Sequence, residues 1–266
     1  MRVHTALALL AAFILAAASA QASVEINSSP TKHMKCSAGV CAPTGKKAVL
    51  NATDLANMLA TGDVKVVTGN GAVTITVSGP FSWTSTHRLT LDANETVSFR
   101  APVEVAGQGA VTIITNDGSS GGDLLFFPGG SLDFWDTSSK LMINAKNYVL
   151  VNDVVTLARK ANSQPSGNFA LAKSYDAEND KRYRDCPVTQ PFLGSLEGLG
   201  HSIQNLTIME RGHRIIFAAL FCQIGTGGAV RDLGLINGNV FSAAYDDGGG
   251  AALLAVGVPR WRSRQL

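Results

Sequence analysis

The sequence predicts an all-β protein wound as a coil of short rungs. Three observations carry this. Charged residues make up only 16% of the chain, against roughly 25% in an ordinary soluble domain. There are 27 glycines in 266 residues, which suits a turn-rich chain. Apolar-x-apolar triplets recur with turn signals between them, seldom joined by two-residue hairpin turns. That pattern favours a solenoid over a hairpin meander. Hydrophobic residues at 45% supply enough material for a core.

Residues 1–22 read as a secretory signal peptide. Arg2 is the positive start, Ala6 to Ala18 is an unbroken run of 13 apolar or small residues, and Ala20-Gln21-Ala22 is a small-x-small cleavage site. The run is shorter than the ~20 residues a membrane span needs, so no transmembrane span is expected. Export to the cell surface, the medium or the periplasm follows. The formal net charge of +2 is too near neutral to argue for nucleic-acid binding.

Residues 23–62 read as an irregular N-terminal segment with a short capping helix. Cys36 and Cys41 flank Ser-Ala-Gly-Val, and in an oxidising compartment a local disulfide is expected. A metal half-site is the alternative, but His33 is the only nearby imidazole. The run from Asn51 to Gly62 reads as the helix, with Thr53 as its cap, Asp54 in the first turn, and Leu55, Met58 and Leu59 on one face.

Residues 63–163 read as rungs. Val73–Val77, Leu89–Leu91, Val97–Phe99, Val103–Val105, Val111–Ile114, Leu124–Phe127, Leu132–Phe134 and Leu141–Ile143 form apolar runs, mostly of period two. Asn152 and Asp153 suit the start of a second helix reaching about Asn162. A charged loop spans 174–191. Strand signals return at Ser202–Ile208, Ile215–Phe221 and Val230–Val240. Cys222 sits in an apolar run, where a cysteine commonly packs as a small core residue. A bond to Cys186 is compatible with the sequence but not implied by it.

Residues 164–257 carry a specific pattern. Phe192, Gly194, Gly198, Gly200, His201, Ile203, Asn205, Leu206 and Ile208 fall in the order F-x-G-x-F-x-G-x-G-H-x-I-x-N-L-x-I. Leu220, Phe221, Ile224, Gly225, Gly228, Val230, Leu233 and Leu235 continue it as G-L-F-x-x-I-G-x-G-x-V-x-x-L-x-L. This stretch resembles the GLUG repeat. The N-terminal half resembles large secreted bacterial proteins of the filamentous-haemagglutinin or adhesin type. The resemblance implies a right-handed parallel β-helix, exported and displayed at a surface. Leu206/Ile208 and Leu233/Leu235, 27 positions apart, are expected to be equivalent strands on adjacent rungs. Two departures are Leu196 in place of an aromatic and Phe217-Ala-Ala in place of aromatic-x-Gly. Residues 258–266, with Arg260, Arg262 and Arg264 around Trp261, form an atypical basic tail that reads as a frameshift or truncation of a longer adhesin.

The expected function is therefore adhesin-like binding of glycans or other cell-surface components, without cofactor, metal or catalytic residues. Phe81, Trp83, Phe126, Phe127, Phe134 and Trp135 lie on or near strand faces that could meet a glycan, although most are expected in the core. The alternative is a polysaccharide hydrolase or lyase. Its candidates are Asp117, the pair Asp246 and Asp247, and His201, since hydrolysis needs two carboxyl groups about 5–10 Å apart. Asp117 sits in an ordinary Asn-Asp-Gly turn. No nucleophile elbow, phosphate loop, His-Glu-x-x-His or EF-hand loop is present.

Overall fold

The computed structural model describes residues 23–69, 72–118, 120–210, 217–242 and 250–257. The signal-peptide reading, the basic tail, and Asp246 and Asp247 lie outside these residues. The fold is all-β with parallel sheets and two short helices.

From Thr74 to Ile143 the chain visits three sheets in turn, three times. Thr74–Val77, Thr96–Phe99 and Leu124–Phe126 stack in the first sheet. Phe81–Trp83, Pro102–Val105 and Ser131–Phe134 form the second. Arg88–Asp92, Ala110–Ile114 and Lys140–Ile143 lie in the third. All of these pairs are parallel. Ile75 faces Val97, Phe81 faces Val103 and Leu89 faces Val111, each 22 residues on. Strands this short offer two inward positions apiece. Val103 and Val105 are buried while Glu104 between them is not, because successive side chains leave a strand on opposite faces. Equal registers then place like on like: Leu89, Val111 and Leu141 make one buried column.

The third sheet continues through Lys146–Val151, Asn168–Leu171, Ser195–Glu197 and Ala229–Arg231. Two pairs of strands in this sheet are antiparallel: Met34–Ser37 with Val40–Pro43, and Lys140–Ile143 with Lys146–Val151. Near the second of these hairpins the core divides. Residues from Val24 to Leu150 pack mainly in one cluster, and those from Val151 onward mainly in another. Phe169, Phe192 and Phe221 run through the second cluster with ring centroids 6.3 and 5.0 Å apart.

Residues 23–50 are not irregular. Ser23–Asn27 lies between Ala48–Asn51 and Thr74–Val77, parallel to both. Val24 and Ile26 point inward. The signal was two apolar residues in five, and the partner Thr74–Val77 lies about 50 positions away. Cys36 and Cys41 face each other across the hairpin and are joined by a disulfide.

Helix α1 runs Ala52–Thr61 and buries Ala52, Leu55 and Leu59. Its cap is Asn51, not Thr53: Asn51 Oδ1 accepts from the N–H groups of Thr53 and Asp54. The same side chain donates to the Ser28 and Ser29 carbonyls, so it also pins the preceding loop. Asn51→Ala is expected to cost about 1 kcal/mol from the cap alone, and more from the loop. Urea unfolding checks this; a midpoint unchanged from wild type would refute it. Helix α2 runs Val154–Ser163 with Asp153 as its cap.

The 27-residue spacing of the later rungs is corrected. Ile203 faces Leu235 and Ile208 faces Val240, each 32 positions on. Asn205 and Asn237 mark the same corner, with φ of 55° and 52°, a left-handed conformation asparagine tolerates well. Leu206 is therefore matched by Gly238, not Leu233. The apolar spacing of 27 joined residues from different sides of the rung.

Two motif glycines are required by geometry. A Cβ on Gly194 would stand 1.8 Å from the Gly167 carbonyl oxygen. Gly200 has φ of +81°, and its Cβ would stand 2.3 Å from Gly130 O. No side chain fits at either position without moving backbone.

Candidate functional site

An open cleft of about 400 Å³ lies where the second sheet meets the later rungs. Its wall is the strand Ser131–Phe134. Leu132 and Phe134 point inward and are buried. Period two therefore turns Asp133 and Trp135 outward on one face. Backbone bonds bring two distant segments alongside: Leu132 N–H donates to Leu199 O, and Phe134 N–H to Ala172 O. Lys173 and Ser174 follow from the one segment, Gly200 and His201 from the other, and all four line the cleft. Gly129 and Gly130 complete it with bare backbone.

The polar groups are held in place. Ser131 Oγ donates to Asp133 Oδ2 at 2.6 Å. Lys173 Nζ sits 3.8 Å from the centroid of the Trp135 ring, a cation–π contact that fixes the ammonium beside the cleft. Trp135 is nonetheless 61% exposed. His201 is 3% exposed, and its Nε2 lies 3.1 Å from Leu132 O. A carbonyl only accepts, so Nε2 carries the proton. Burial pushes the imidazole below its ordinary range, against the opposing pull of Asp133. The ring is neutral at pH 7. Its Nδ1 stands 4.0 Å from Asp133 Oδ1.

His201 was expected as a motif residue, and it ties its own segment to the strand Ser131–Phe134, 69 positions back, through Leu132. The other motif positions serve the scaffold. Phe192, Ile203, Leu206, Ile208, Leu220 and Phe221 are buried, and Val230, Leu233 and Leu235 are partly so. Gly194, Gly198 and Gly228 would each press a Cβ within 2.2 Å of backbone oxygen. Among the aromatics, Phe81, Trp83 and Phe134 are core, Phe126 and Phe127 are half-buried, and Trp135 is exposed. Arg100 covers the Phe127 ring at 3.8 Å. Asp117 N–H donates to Ala93 O at 3.2 Å, and Asp92, whose Oδ2 holds Lys65 at 2.6 Å, raises the Asp117 carboxyl. This is a corner network.

Sequence reasoning missed Ser131, Asp133, Lys173 and Ser174. Only the run Leu-Asp-Phe-Trp hinted at an outward acid and aromatic together. It also missed a second cluster. Glu197 is buried, and its Oε2 has no hydrogen-bond partner. Burial first, then the Asp232 charge, pushes its carboxyl up to about 8, while Arg231 opposes. Asp232 is pushed up to about 6, chiefly by burial. Arg231 Nη1 contacts Asp123 Oδ1 at 3.1 Å. Glu197 and Asp232 do not line the cleft. Among the described residues no group of three or more His, Cys, Asp or Glu is placed to hold a metal, and no helix is long and apolar enough to cross a membrane.

No protein-family model matches the chain, and no solved structure matches it. A stretch of 98 residues is 34% identical to Halomucin of Haloquadratum walsbyi. The match takes in 32% of this chain and only 1% of Halomucin, so the chain is similar to a small part of a far longer protein.

Proposed function

We propose that the chain is an exported, adhesin-like binding module carried on a right-handed parallel β-helix with GLUG-type rungs. The observation that carries the binding role is Trp135, an exposed tryptophan beside an open polar cleft, placed there by rigid strand register. An aromatic face next to convergent polar groups suits glycans or other cell-surface components. The solenoid reading is supported by the threefold alternation of three parallel sheets. Export is supported by the leader-like residues 1–22 and by the pairing of all four cysteines in disulfides, which persist in oxidising compartments.

The test is protease treatment of intact native cells, followed with an antibody to residues 64–150. The expected result is loss of the signal from whole cells, or its recovery in the medium, with a cytosolic marker untouched. A protein found only in the cytosol refutes the reading.

A further inference from the structure

We infer that the cleft beside Trp135 is a subsite for a neutral pyranose carrying adjacent free hydroxyls. The inference rests on the binding-module reading and names its ligand class. Four features of the cleft point to this chemistry.

The first is charge. Asp133 and Lys173 line the cleft with one charge of each sign, and His201 is neutral. The site as a whole is electroneutral. A uronate, sialate or sulfated sugar would set a second anion beside Asp133, against a single cation, Lys173, already seated on the Trp135 ring. The second is hydrogen-bonding capacity. Asp133 Oδ2 accepts from Ser131, while Oδ1 is 4.0 Å from its nearest imidazole nitrogen, beyond hydrogen-bond reach. A sugar hydroxyl donates to that oxygen, and a neighbouring hydroxyl or the ring oxygen accepts from the Lys173 ammonium. Ser131 Oγ, its proton given to Asp133, serves as an acceptor, and Ser174 Oγ, which accepts the Ser202 N–H, as a donor. The third is the aromatic platform. Lys173, which lines the cleft, covers one face of the Trp135 ring, so a pyranose held by Lys173 meets the exposed edge of that ring at the rim of the cleft. The fourth is size. A cleft of about 400 Å³ is at the small end of ligand sites, enough for one or two sugar rings.

The experiment uses the secreted protein purified with its disulfides intact. Tryptophan fluorescence and saturation-transfer NMR are recorded with methyl glucoside, galactoside and mannoside and with N-acetylglucosamine. Glucuronate, galacturonate and sialate are the anionic set. At least one neutral sugar is expected to bind with an affinity that changes less than twofold between 50 and 500 mM salt. Trp135→Ala and Asp133→Asn are each expected to weaken it at least tenfold, with the circular dichroism spectrum unchanged. Preference for an anionic sugar, with affinity falling as salt rises, overturns the inference. So does the absence of binding to every sugar by folded wild-type protein. The wild-type selectivity decides even if a variant fails to fold. Protease-accessible protein on intact cells that binds no sugar refutes the subsite and leaves the binding-module reading standing. A cytosolic protein refutes that reading.

Discussion

Glu197→Gln is expected to make the protein more stable than wild type at alkaline pH, by a margin that builds up between about pH 5 and pH 8. Glu197 lies in the strand Ser195–Glu197, between Ala170 on one neighbour and Arg231 on the other. Its carboxyl is pushed up to about 8 in the fold, against 4.5 when free. The folded state therefore keeps a proton that the unfolded chain has already released. The stability this group contributes is full below pH 4.5 and falls as pH rises towards 8. Within that window the loss is about 1.4 kcal/mol per pH unit for one proton. Above pH 8 the buried carboxylate carries the whole cost of ionising there, on the order of 5 kcal/mol. Glutamine has the shape of the neutral acid and carries no such slope.

Denaturant unfolding from pH 4 to pH 9 reads this directly. Near pH 4 the two proteins should be close, with Gln slightly weaker because its amide brings further donors to a site where Oε2 already lacks a partner. By pH 9 the variant should lead by several kcal/mol. A difference that stays flat across the range would mean that Glu197 titrates alike in both states. Asp232, pushed up to about 6, adds a second, smaller loss between pH 4 and 6.

How much of this was legible in the sequence depends on range. The short β-strands were, because many of them write two inward apolar residues around one outward residue, as in Val103-Glu104-Val105. Both helices were legible from their polar starts, although Asn51 rather than Thr53 holds the first. What a strand pairs with was not. Nothing local to Val24-Glu25-Ile26 reports Thr74–Val77 as its neighbour, and the spacing of Leu206 and Leu233 suggested a register that the parallel pairs replace. The site was illegible for the same reason. Asp133, Lys173 and His201 come from three segments that only the register of the stack brings side by side. Glu197 was missed for a different reason. Alternation sets Leu196 and Glu197 on opposite faces, yet both are buried, and the strand Ala229–Arg231 that lies beside Glu197 comes more than 30 positions later. A periodic pattern tells which face a residue takes, and not what later covers that face.

The two disulfides are expected to differ widely in what they contribute. Cys36 and Cys41 close a loop of separation 5 on an exposed hairpin, so cutting it frees little chain. Cys186 and Cys222 close a separation of 36. A cross-link of that span restricts the unfolded chain by about 3–4 kcal/mol on the loop-entropy model. It also ties the charged loop to the second core. Cys186 is buried, and next to it Val188 bridges in parallel to Phe221, which packs on Phe192 at 5.0 Å. Cys186→Ser/Cys222→Ser is therefore expected to lower stability by at least 3 kcal/mol, the entropy being joined by the hydroxyl placed at the buried position 186. Cys36→Ser/Cys41→Ser is expected to cost about half as much, ~2 kcal/mol on the same model. Thermal melts of both double variants, with and without a reducing agent, decide the matter. The reducing agent should lower the melting temperature of the hairpin variant strongly and that of the Cys186/Cys222 variant only slightly. Equal losses in the two variants would show that loop length does not govern these bonds.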